Sequence, residues 1–298
     1  MAFLRSLLAA RPVVACVLAA CFALITTLAL LDPGSAAVIH TEQSEFAPVV
    51  VFEELDQRCM NFNSPEDLGR QSCIDLDDPD ELVFSYTRTM MSALFVNPEP
   101  AHVLIVGLGG GSLSRALAKV LPEAVIDTVE IDPAVVNVAK KFFGYMPSAK
   151  QRIFVEDGRA FIERAHRQGQ QYDLIMLDAF DVDYIPPHLL TREFLQHVYA
   201  TLTPGGVLVA NTFSRSHVYD QESATYADVF GKFFNLRGPN RIIMARRGSL
   251  PELSEITRNA NALATKLRPF GVNVENQLRM FSGALDRDWD QNAKVLSD

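Results

Sequence analysis

Three acids close a hydrophobic run in the stretch YDLIMLDAFDVDY, residues 172–184: Asp178, Asp181 and Asp183. An ammonium group has a pKa of about 10, so its nitrogen must lose a proton before it can attack an electrophilic carbon, and a carboxylate held at the end of a buried strand can take that proton. Asp178 stands where such a base would stand. Asp181 is suited to hold a cationic substrate, and Asp183, farther along the loop, reads as solvated. A second group of residues suits a nucleoside. The apolar run 102–106 leads straight into Gly107-Leu108-Gly109-Gly110-Gly111-Ser112, where glycines let the backbone turn tightly and let a ligand approach the start of a helix. A dinucleotide fingerprint GxGxxG would need its third glycine at position 112, which is Ser112; the pattern is GxGxG, on Gly107, Gly109 and Gly111.

Glu130 follows Gly107 by 23 positions, close to the spacing of about 20 expected for a carboxylate that accepts both ribose hydroxyls. Asp132 before Pro133 reads as a helix cap followed by a first helical residue. In Glu156-Asp157-Gly158-Arg159, Asp157 and Gly158 end another apolar run; there Asp157 either receives an adenine amino group or caps the next helix. None of the six histidines lies in an HExxH pattern, there is no CxxC and no GxSxG elbow, and neither a metal site nor single-residue hydrolase chemistry is expected. His188 reads as a cap for the helix that follows it.

These residues need strands to carry them. The pattern predicts strands at 102–106, 125–130, 152–155, 172–177 and 206–211, alternating with helices at 112–121, 133–143, 159–166 and 192–202. Strand alternating with helix gives an α/β fold, a Rossmann-like doubly wound parallel sheet whose ligands sit at the carboxyl ends of the strands. Each candidate above falls at such an end. Before this domain, assigned to residues 98–298, residues 37–97 read as a small antiparallel β subdomain closed by a helix over 81–95. The polar tail beyond 286 is expected to fray.

With 298 residues, 48% hydrophobic and 21% charged, the chain falls among globular proteins. A net charge of −9 without a basic run excludes a protein held by nucleic-acid phosphates. Residues 12–31 carry no charge, and a helix of that length would be about 30 Å long, the thickness of a hydrocarbon core. With Arg5 and Arg11 before it, residues 1–36 are expected to be an inner-membrane anchor that leaves the rest of the chain outward-facing. The competing readings are a signal segment cleaved near 35–37, giving a secreted or periplasmic protein, and a buried helix in a cytoplasmic one. Cys59 and Cys73 either form a disulfide, which suits an oxidising compartment, or are two unrelated buried thiols.

Residues 86–211 resemble the spermidine synthase (polyamine aminopropyltransferase) family, within the class I S-adenosylmethionine-dependent methyltransferase fold. The blocks that carry the resemblance are VLIVGLGGGSL, VEIDP, EDGRAF, YDLIMLDAFD and EFLQHVYATLTPGGVLVAN, in that order. The resemblance implies attack of a small-molecule amine on decarboxylated S-adenosylmethionine, with release of methylthioadenosine and no metal. Glu130 would then hold ribose, Asp157 adenine, Asp178 would be the base, and Asp181 would help seat the amine. Three stretches depart from the family pattern. Gly110 replaces the loop aspartate that helps hold the aminopropyl end of the donor, Asp178-Ala179-Phe180-Asp181-Val182 stands for Asp-Ser-Ser-Asp-Pro, and Tyr86-Thr87-Arg88-Thr89-Met90 stands for the Tyr-His-Glu-Met segment. The pattern is closer to spermidine-synthase-like proteins with an attached membrane portion. A methyltransferase using intact S-adenosylmethionine and a non-catalytic anchored binding module are the alternatives, and a homodimer is compatible with all three.

Overall fold

The computed structural model describes residues 36–66, 70–180 and 184–298; the apolar segment 12–31, Asp181 and Asp183 lie outside the described residues. The chain first builds a four-stranded antiparallel sheet in sequential order, β1 (Ala37–Glu42), β2 (Val49–Glu54), β3 (Gln57–Phe62) and β4 (Ser72–Asp75). Cys59 and Cys73 face each other across β3 and β4 and are bonded, with Cα atoms 4.0 Å apart. Val49, Val51, Met60 and Ile74 pack against Ala134, Val135, Val138 and Phe143 of the following domain, so burial of apolar surface seats this sheet beside the glycine loop.

The helix expected over 81–95 is shorter and broken, into α1 (Ser85–Met91) and α2 (Ala93–Val96). Leu82 forms a β-bridge with Ile74, and its N–H donates to the Phe270 carbonyl, so that stretch is committed to extended backbone. At the break, the Ser92 hydroxyl donates to the Thr89 carbonyl, a local alternative to the helical ladder.

The large domain then alternates β5 (His102–Val106), α3 (Ser112–Val120), β6 (Val125–Glu130), α4 (Pro133–Phe142), β7 (Gln151–Val155), α5 (Gly158–Arg167), β8 (Tyr172–Leu177), α6 (Arg192–Thr201) and β9 (Leu202–Phe213). It ends with α7 (Tyr219–Phe230), an antiparallel pair β10 (Phe233–Arg237) and β11 (Asn240–Arg246), α8 (Leu253–Leu267) and α9 (Val274–Phe281). The seven strands lie in the order β10-β11-β9-β8-β5-β6-β7. β5 to β9 run parallel, and β11 returns antiparallel beside β9. The chain winds outward from β5 to β7 and then resumes at β8 on the other side of β5, so the crevice lies at the tips of β5, β6 and β8. Leu104, Ile105, Leu174 and Ile175 have almost no exposure, as strands covered on both faces require.

The tail corrects the expectation of fraying. Trp289 stacks on Phe233 with ring centroids 5.2 Å apart, and Asp288 accepts from Tyr219, Asn235 and Arg237. The Leu296 N–H donates to the Thr225 hydroxyl and its carbonyl accepts from the Arg192 N–H, and Asp298 pairs with Arg159. A polar composition did not reveal partners that come from distant strands and helices.

Candidate active site

The tip of β5 turns through Gly107 at φ +100°, where a Cβ would lie 2.2 Å from the Asp178 carbonyl oxygen. Only glycine allows the two strand ends to approach so closely, and the approach sets Asp178 beside the loop. Asp178 is anchored by its own N–H, which donates to the Val106 carbonyl at 2.8 Å. Its carboxylate receives Asn211 Nδ2 on Oδ1 at 2.9 Å and the Tyr86 hydroxyl on Oδ2 at 3.4 Å. Burial pushes this carboxyl up to about 7, although both hydrogen bonds oppose the rise. Burial, reinforced by the neighbouring carboxylate, drives the Tyr86 phenol well above its ordinary value, so it stays a donor.

Glu130, at the tip of β6, is held differently. Its two oxygens accept the backbone N–H groups of Leu108 and Asp132, each at 3.0 Å. Burial raises this carboxyl, and the backbone donors work against that rise. Asp132 caps α4 by accepting from Ala134 N at 2.8 Å, as its place before Pro133 predicts, and also takes the Ser44 hydroxyl at 2.6 Å. Asp157 fills the capping role considered for it: Oδ1 caps α5 through Ala160 N at 2.9 Å, while Oδ2 pairs with His188 Nε2 at 2.9 Å. Burial works to raise Asp157, but the Ala160 N–H and His188 outweigh it and hold the carboxyl below its usual range. The expectation for His188 is corrected here. Thr191 caps α6, with its hydroxyl accepting from Phe194 N, and the 3-10 turn Pro187–Leu189 turns His188 toward Asp157 instead.

These side chains border one cavity of about 150 Å³ at the strand tips. Gly107, Gly109, Glu130, Asp157, Gly158 and Asp178 all line it; Gly111 sits one residue inside the loop, packed on Tyr145. Asp181 lies outside the described residues. Four acidic residues, Glu130, Glu156, Asp157 and Asp178, are among its lining, with Glu156 paired to Arg164, and the described lining itself includes no Lys or Arg. The small sheet contributes Met60, Phe62, Gln71 and Ser72 as the opposite wall. At Gly110 a Cβ would lie 2.8 Å from both the Phe143 ring and the Ser72 hydroxyl. The position that bears an aspartate in the family therefore has no room for a side chain, and the Ser72 hydroxyl occupies the adjoining space.

In the sequence Tyr86 falls in the helix expected over 81–95 and in a family segment, and Asn211 ends the strand expected at 206–211; neither place announces a hydrogen bond to Asp178. A readable signal existed for Asn211: a polar residue ends the buried run VLVA, just as Glu130 and Asp178 end theirs.

A doubly wound sheet with a glycine loop at β5, a carboxylate at the tip of β6 and a desolvated acid at the tip of β8 defines a nucleoside-binding fold of the class I methyltransferase type. A family model described as the spermine/spermidine synthase domain matches residues 83–237. The polyamine aminopropyltransferase of Vibrio vulnificus is 44% identical, over 93% of this chain and 94% of its own. This chain belongs to the spermine/spermidine synthase family. Among solved structures, human methyltransferase-like protein 13 in complex with SAH is 29% identical and superposes with a TM-score of 0.58, over 62% of this chain and 93% of that one. Spermidine synthase from Thermotoga maritima, at 18% identity, shares the fold with a TM-score of 0.61, over 82% of this chain and 88% of that one.

Proposed function

We propose that this protein transfers the aminopropyl group of decarboxylated S-adenosylmethionine to a small-molecule amine, with Asp178 as the proton acceptor. The amine nitrogen forms a bond to the aminopropyl carbon, the carbon–sulfur bond breaks, and the sulfonium leaves as the neutral thioether of methylthioadenosine. The proton lost by the nitrogen goes to Asp178. The observation that carries this reading is the environment of Asp178. It is desolvated enough to sit near 7, so it is a better proton acceptor than an ordinary aspartate, while Asn211 and Tyr86 favour its ionised form. Glu130 and Asp157 hold ribose and adenine in this proposal, and Asp181 seats the amine.

Charge supports the decarboxylated donor. Its sulfonium and terminal ammonium both suit a cavity whose lining is acidic and carries Asp178, whereas the carboxylate of intact S-adenosylmethionine would meet no Lys or Arg among the described lining residues. The glycine at 110 favours a second reading, a methyltransferase, because the family's grip on the aminopropyl end is absent there. Calorimetry with both donors, followed by a screen of diamines and polyamines for methylthioadenosine release, separates the two. Tighter binding of the decarboxylated donor and methylthioadenosine production support aminopropyl transfer; S-adenosylhomocysteine production from intact donor overturns it.

Attachment to a membrane through residues 12–31, with the enzyme outward-facing, is part of the proposal. The Cys59–Cys73 bond suits an oxidising compartment. Among the described residues no helix is long and apolar enough to cross a membrane. Mass spectrometry of the N-terminus of protein isolated from membranes tests the attachment, and a chain beginning near residue 37 overturns it.

A further inference from the structure

The Asp178 hydrogen bonds continue one residue farther. Asn211 donates its Nδ2 to Asp178, and its Oδ1 accepts from Asn240 Nδ2 at 2.9 Å. Asn240 lies on β11, antiparallel to β9, and is half-buried. Its neighbour Arg241 is turned elsewhere, to Asn235 and Ser223.

An asparagine amide presents a donor on one side and an acceptor on the other, and the two can exchange by rotation about the terminal bond. If Asn211 rotated, its carbonyl oxygen would face Asp178, an arrangement satisfied only when the carboxyl carries a proton and donates. With Asn240 donating to Oδ1, rotation of the Asn211 amide alone would set two NH₂ groups against each other, so the donor side leaves Asp178 only if both amides turn together. While the pair holds, the donor side stays on Asp178, where it stabilises a carboxylate and not a carboxylic acid.

We infer that Asn240 is a positioning residue for the transfer reaction: by fixing the orientation of the Asn211 amide, it keeps Asp178 ionised and ready to accept the proton. This rests on Asp178 being the base. Among the described residues, the polar groups bonded to or packed on Asp178 are Tyr86 from α1, Asn211 from β9 and the backbone of Val106 and Gly107, and of these Tyr86 is the titratable one.

The test separates this inference from the proposed reaction by observing Asp178 directly. Protein labelled with ¹³C at aspartate carboxyls is titrated by NMR, with the Asp178 signal assigned by its loss in Asp178→Asn. In Asn240→Leu the Asp178 titration is expected to move up by about half a unit to one unit, a 3- to 10-fold smaller ionised fraction at acidic pH. Asn240→Ser, too short to reach Asn211 and polar enough for a half-buried site, should show the same shift, and Asn240→Gln should restore most of the native value. The acid limb of kcat should move with the titration, while KM for the donor stays unchanged. In an Asn211→Leu background, Asn240→Leu should add nothing, since its effect passes through Asn211. The inference is overturned if Asp178 titrates alike in the native protein and both shortened variants, or if the Asn240→Leu shift persists without Asn211. Absence of methylthioadenosine from the native protein would count against the aminopropyl reading alone, because the NMR titration does not depend on turnover.

Discussion

The tips of β6 and β8 each end in a carboxylate that loses much of its water, yet the partners differ. Glu130 is gripped by two main-chain N–H groups that belong to the loop and to the start of α4, so its position is fixed by the backbone. Asp178 is held by two side chains, Asn211 and Tyr86, carried by β9 and α1. Backbone donors cannot move away or change protonation state, which suits the ribose-holding role proposed for Glu130. Burial holds Asp178 near 7 against the opposing pull of its two side-chain donors, and there one proton can come and go at neutral pH. Two acids on neighbouring parts of one sheet are thus held in different surroundings, which fits the different tasks proposed for them.

The largest effect that would break this comparison is on turnover. Asp178→Asn keeps size and much of the hydrogen bonding but cannot take a proton; kcat should fall by roughly 10²–10⁴ while methylthioadenosine binding, measured by calorimetry, changes little. An acid that only capped the loop would be replaced by asparagine with little loss. The reciprocal change, Glu130→Gln, should weaken nucleoside binding by about 1.5–3 kcal/mol, the usual loss for a hydrogen bond to a charged group, with kcat much less affected. Equal affinity in calorimetry would make Glu130 a brace for the loop and not a ligand.

Reduction of Cys59–Cys73 probes the wall that both acids share. A bridge between residues 14 apart should contribute about 3 kcal/mol, read as a lower Tm with reductant, and neither thiol should label with an alkylating agent, folded or unfolded, unless reductant is present. The native-to-Asp178→Asn activity ratio should survive reduction, because the contrast between the acids lies in the large sheet. A last effect is on the pH dependence of stability. Asp178 ionises less readily folded than unfolded, so its ionisation destabilises the fold progressively between its ordinary value of 3.8 and about 7, and fully above that. Asp178→Asn should therefore raise Tm more at pH 8 than at pH 4, as calorimetric scans would show.

Much of this was legible in the chain because buried parallel strands write themselves as unbroken apolar runs. VLIV and LIML mark β5 and β8, VIDTVE marks β6 despite Asp127 and Thr128 within it, and the acids Glu130 and Asp178 mark two strand tips. Asp132 was legible as a cap because Pro133 follows it. Contacts between distant elements were not. Nothing local to Gly110 announces that Phe143 and Ser72 fill the space beside it, nor does Ser92 announce a break in a helix with continuous apolar spacing. Asn240 follows a turn and looks like a solvated residue until β11 is laid beside β9 and its amide meets Asn211. The tail reads as polar excess because its partners, Arg159, Arg237 and Phe233, come from other elements.

The most direct test of the central claim, that Asp178 accepts the proton of the attacking amine, is the pH dependence of kcat/KM for the donor at saturating amine, in native protein and Asp178→Asn. The native profile should rise through an apparent pKa near 7, and the variant should be slower and lack that limb. A variant that keeps both the limb and a rate close to native would contradict the claim and place the titrating group elsewhere.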